Sequence, residues 1–89
     1  MARLIPAAER ITRARALIQQ ARDLPVPDDG RGDFSYIAEV KDLLRQARDL
    51  VKFIPKTPSA TDEMKDDVKR IYEESEQAEQ EILHGPAQG

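Results

Sequence analysis

The stretch Asp33-Phe34-Ser35-Tyr36-Ile37-Ala38-Glu39-Val40-Lys41-Asp42-Leu43-Leu44-Arg45-Gln46-Ala47-Arg48-Asp49-Leu50-Val51-Lys52-Phe53-Ile54-Pro55 decides the fold class. Ile37, Val40, Leu44, Ala47, Val51 and Ile54 recur in steps of three and four, and that period belongs to an α-helix with one buried face. Tyr36, Leu43 and Leu50 widen the stripe on one side. Asp33 suits the N-cap, where its carboxylate accepts a backbone N–H. Pro55 removes a donor and stops the helix. The pattern predicts a helix over 34–54.

The same reading extends in both directions. Upstream, Ile11, Ala14, Ile18 and Ala21 repeat every three or four residues, flanked by Leu17 and Leu24. Pro6 suits a first helical position, and Pro25 and Pro27 end the run, which predicts a helix over 6–24. Downstream, Met64, Val68, Ile71, Ser75, Ala78 and Ile82 form a narrow seam on an otherwise charged segment. A start near Ser59, with Asp62 three residues on as in a capping box, and a stop at Gly85-Pro86 predict a helix over 59–84. No segment alternates with the period of two that marks a half-buried strand. The expected fold is all-α: a single domain over 1–89, either a three-helix antiparallel bundle or an open three-helix array.

Leu17, Gln20, Ala21, Arg22, Asp23 and Leu24 recur 26 residues later as Leu43, Gln46, Ala47, Arg48, Asp49 and Leu50. The third helix does not join this pattern. Two copies do not make a solenoid, so the likeness reads as convergent amphipathic design.

Eighty-nine residues without cysteine exclude a disulfide framework and a thiolate metal site. Apolar runs fall short of the roughly 18–20 residues that span a bilayer. Charge is unevenly placed. Residues 1–24 hold five arginines against Glu9 and Asp23, a balance of +3; residues 25–57 balance; residues 58–89 hold three basic against nine acidic residues, −6. Either the two ends compensate each other as neighbouring helices, or a basic face meets an acidic partner. Arg3, Arg10, Arg13 and Arg15 interleave with Leu4, Ile5, Ala7, Ile11 and Ala14. That is how a mitochondrial targeting segment looks, and equally how an ordinary basic first helix looks.

Catalytic patterns are missing. The single histidine, His84, stands in the last turn of the third helix, where it suits the helix dipole. Glu81-Ile82-Leu83-His84 has the spacing of a di-iron motif, but that chemistry needs two such motifs and two further glutamates. The loop with Gly30 and Gly32 is too short for a phosphate fingerprint. Asp28, Asp29 and Asp33 lack calcium-loop spacing. Arg31-Gly32-Asp33 reads as a loop followed by a helix cap. The acidic run from Glu73 to Glu81 reads as a solvated face. The first helix has arginines but no aromatic to stack a base, which argues against nucleic acid.

The order of elements resembles the LYR-motif (Leu-Tyr-Arg) family of small mitochondrial three-helix proteins over about 12–78. Its strongest stretch is Arg15-Ala16-Leu17-Ile18-Gln19-Gln20-Ala21-Arg22-Asp23-Leu24, similar to the family segment that begins at the motif arginine. Tyr36 to Arg45 is similar to the family's second helix, with Arg45 at the family arginine. Thr61-Asp62 then opens a third helix carrying Val68, Ile71 and Ser75. Ile82-Leu83 through Gln88-Gly89 faintly resembles the tail of the complex III assembly-factor branch. Arg13 and Ala14 stand at the motif's Leu and Tyr, and Leu44 at the family phenylalanine.

The resemblance implies a non-catalytic mitochondrial adaptor on the matrix side, a subunit or assembly factor of a respiratory-chain complex. It implies an acidic acyl carrier protein as a partner, met by Arg15, Arg45 and Lys41. The carrier's acyl-phosphopantetheine would enter an apolar groove of Leu17, Ile18, Val40, Leu44 and Val51. No cofactor of the chain's own and no metal are expected. The alternatives are a cytoplasmic three-helix module that receives amphipathic helical peptides, as KIX and MIT domains do, and a nucleic-acid accessory protein.

Overall fold

A computed structural model describes residues 6–28 and 33–84. Arg3, Leu4, Ile5, Asp29, Gly30, Arg31, Gly32, Gly85, Pro86, Gln88 and Gly89 lie outside the described residues. Three helices are present: α1 (Ala7–Asp23), α2 (Phe34–Val51) and α3 (Asp62–His84), with a short 3₁₀ turn at Ile54–Lys56 and no strand among the described residues. The protein is all-α, as its periodicity predicts.

The helix ends follow from local chemistry. Pro6 is the N-cap of α1 and not its first helical residue; its carbonyl accepts from the Arg10 N–H at 3.0 Å. Leu24 is extended and closes α1 with an N–H bond to the Ala21 carbonyl. Asp33 caps α2 as expected, its carboxylate accepting from the Tyr36 N–H at 3.0 Å. α2 stops at Val51, three residues short of the expected 54. Pro55 sits at the head of the 3₁₀ turn, where its ring would collide with the Val51 carbonyl of a continuing helix. α3 starts later than expected. Thr61, not Ser59, is the capping hydroxyl: it accepts from the Met64 N–H at 3.1 Å, satisfying one of the orphan donors of the first turn.

The core is one cluster. Ile11, Ala14, Ile18 and Ala21 of α1 meet Tyr36, Val40, Leu43, Leu44, Ala47 and Val51 of α2, and Val68, Ile71, Ala78 and Ile82 of α3 close it. Ile54, though outside α2, is buried in the same cluster. One expectation shifts by a fraction of a turn: Ile37 is only half-buried, while Tyr36, read at the edge of the stripe, is buried. Met64, expected on the seam of α3, is half-buried beside the cluster.

Cross-helix contacts fix the direction of each helix. Ala7 and Arg10 share a depression with Phe53 and Ile54, while Gln20 shares one with Gln46, so α1 and α2 are antiparallel. Arg15 pairs with Asp67 and Arg22 with Glu81, so α1 and α3 run the same way. The arrangement is up-down-up, with α3 laid along one side of the α1/α2 hairpin.

Candidate functional site

α1 has two flanks beside its buried stripe. One carries Arg15 and Arg22, which turn toward α3; the Arg22 guanidinium reaches Glu81 at 2.6 Å. The other carries Arg10, Arg13 and Leu17, on the side of the hairpin away from α3. There an open, shallow cleft of about 620 Å³ runs along the seam between α1 and α2. Its apolar lining is Ala16 and Leu17 of α1 and Leu50 of α2; Gln20, Gln46 and Asp49 supply polar walls. Arg13 also borders it and pairs with Glu9 at 3.5 Å, an exposed contact one turn back on the same helix.

The residues expected to line an apolar groove part company here. Leu17 lies in the cleft. Ile18, Val40, Leu44 and Val51 do not: they are buried in the cluster that Val68, Ile71 and Ala78 of α3 complete. The periodic stripe marked them as covered, and the cover is this chain's own third helix. The sequence marks Leu50 as widening the stripe and the two glutamines as part of a recurrence, and gives none of the three a site role. Their signal was present in the 26-residue recurrence, which places Gln20 and Gln46 at equivalent positions, and both line the cleft.

The three cationic partner residues also separate. Arg15 faces α3, where its guanidinium lies 3.2 Å from Asp67. Lys41 and Arg45 lie one turn apart on α2, on the flank that borders α3. Arg48 and Lys52 continue the same line at three- and four-residue steps, which keeps all four on one side of the helix. Arg48 and Lys52 were missed, although that spacing is legible in the sequence.

The four differ in their surroundings. Arg45 bonds to Asp42 within α2, and Lys52 to Asp49 at 3.5 Å, with its ammonium 5.1 Å from the centre of the Phe53 ring. The Asp42 carboxyl is held below the usual carboxylate range, first by the Arg45 hydrogen bond and then by that of Gln46. Arg48 is half-buried and donates to the Ser75 hydroxyl at 3.2 Å, which in turn donates to the Tyr72 carbonyl at 2.9 Å. Among the described residues neither Lys41 nor Arg48 pairs with a carboxylate.

No protein-family model, curated protein or solved structure matches the chain. Among the described residues no group of three or more His, Asp or Glu is placed to hold a metal ion, and no helix is long and apolar enough to cross a membrane.

Proposed function

We propose that the chain is a small non-catalytic adaptor that holds a larger protein by seating one of its helices in the α1/α2 cleft. In this reading it is an LYR-like mitochondrial subunit or assembly factor of a respiratory-chain complex. The cleft carries the proposal. A helical hairpin covered on one side by α3 leaves its other side as the place where a further helix packs. Leu17 and Leu50 present half-buried apolar surface there, which suits the i, i+3, i+4 apolar anchors of an amphipathic helix. The mitochondrial assignment rests on the LYR resemblance and the basic amphipathic start. An acidic acyl carrier protein is the partner which that resemblance supplies for Lys41 and Arg45. Admission of its acyl chain between Ile18, Val40, Leu44 and Val51 would require α1 and α2 to part.

The test is affinity purification of the full chain from mitochondria, beside a Leu17→Glu/Leu50→Glu variant. Wild type is expected in the matrix, bringing down subunits of one respiratory-chain complex. The variant is expected to stay helical and lose them. Identical capture by both would overturn the cleft, and a cytosolic distribution would overturn the mitochondrial assignment. Cleft-dependent capture of a helical peptide in the cytosol would favour the peptide-receiving module.

A further inference from the structure

The α2 flank is not absorbed by the cleft reading. Lys41, Arg45, Arg48 and Lys52 run along it. At its head stands Phe34, 88% exposed. Seven residues before Lys41, Phe34 lies two turns back on the same side of the helix. Past its foot Phe53, 57% exposed, lies beneath the Lys52 ammonium and shares a depression with Ala7 and Arg10 of α1. Tyr72, exposed on α3 beside the Arg48–Ser75 contact, adds a third aromatic ring. Apart from Val26, these are the exposed large hydrophobic side chains of the described residues.

We propose that this flank docks on an anionic membrane surface, with α2 lying in the plane of the headgroups. From Phe34 to Lys52 the helix offers about 27 Å of contact length. Each cation near an anionic leaflet contributes roughly 1 kcal/mol, and aromatic rings that protrude between headgroups add apolar burial. Asp42 and Asp49 are offset by Arg45 and Lys52 on their own helix, so the net attraction of the row comes from Lys41 and Arg48, and the acidic α3 beside it opposes that attraction. Lys41 and Arg48 have no such acid. A soluble acidic protein would also satisfy the cations. It gives no reason for the phenyl ring of Phe34 held out at the head of the row, whereas the acyl boundary does. The flank shares no residue with the Leu17/Leu50 anchors, so it is tested separately from the cleft; it competes with the carrier-protein reading of Lys41 and Arg45, and the polyglutamate arm of the test decides between them.

The test is co-sedimentation of the full chain with phosphatidylcholine vesicles, with and without phosphatidylglycerol. Binding is expected only to the anionic vesicles, and is expected to weaken with salt. Lys41→Glu/Arg45→Glu is expected to lower partitioning at least about tenfold, from two lost attractions and two added repulsions. Phe34→Ser is expected to lower it several-fold with charge unchanged, and Arg13→Glu on α1 to leave it within about twofold. Circular dichroism confirms that each variant is folded. Failure of the wild type to sediment with anionic vesicles overturns the proposal, as does equal binding by Lys41→Glu/Arg45→Glu or an equal loss in Arg13→Glu. Capture of a polyglutamate peptide without vesicle binding would assign the flank to an acidic protein and also overturn it.

Discussion

The Arg15 guanidinium lies 3.2 Å from the Asp67 carboxylate and ties the middle of α1 to α3. Both side chains are partly exposed, so the pair stabilises the fold by less than about 1 kcal/mol. Its value is in register: with Arg22–Glu81 it sets how far α3 is slid along α1. Arg15→Glu is expected to lower the thermal midpoint by a few degrees, and Arg15→Glu with Asp67→Arg to restore most of it. A double variant no more stable than the single one would mean that the contact does not set the register.

Leu44 and Glu76 measure which face is buried. Leu44 is fully enclosed in the middle of α2, whereas Glu76 is exposed. Leu44→Asp removes apolar burial and strands a carboxylate among apolar neighbours. It is expected to cost about 4 kcal/mol or more and to unfold much of the population of so small a domain. Glu76→Ala is expected to stay within about 0.5 kcal/mol. Thermal melts of the two variants decide it.

Glu81 makes stability depend on acid. Arg22 first, and then Gln77, donates to its carboxylate and holds its pKa below the ordinary glutamate value. A carboxyl whose pKa is depressed on folding contributes stability above its unfolded value, and loses it as pH falls through the folded one. Wild type is therefore expected to lose stability as pH drops below the ordinary glutamate range. Glu81→Gln is expected to show a shallower loss over that same window. Denaturant melts across the acid range compare the two slopes.

Ser75 tests the polar point in the core. It is fully buried, and its hydroxyl accepts from Arg48 while donating to the Tyr72 carbonyl. Ser75→Ala removes the acceptor from a half-buried guanidinium and is expected to cost about 1 kcal/mol. Ser75→Leu has no space beside Ile71 and Ala78, and is expected to cost about 1–3 kcal/mol through overpacking. If Ser75→Leu raised the thermal midpoint, α2 and α3 would not be in close contact at this point.

The sequence alone settled what depends on neighbours a few residues apart. The apolar period of three and four gave three helices, because that spacing returns side chains to one face. Pro25 and Pro55 set two of the breaks, since a ring without an N–H cannot continue the ladder. Asp33 was legible as a cap, and Val68, Ile71, Ser75, Ala78 and Ile82 as the seam of α3; all of them are buried. Tertiary structure decided the rest, because a stripe says that residues are covered without saying by what. Only the seating of α3 showed that Ile18, Val40, Leu44 and Val51 are core, and that Leu17 is left to an open cleft. Only the parallel register of α1 and α3 gave Arg15 to Asp67, while Arg45 stayed on its own helix with Asp42. Thr61 took the cap from Ser59 where the chain enters α3, beyond the 3₁₀ turn that buries Ile54. The Thr61 cap and the Arg45–Asp42 pair are local contacts; the other outcomes rest on contacts between residues far apart in the chain, and no local period or cap encodes such contacts.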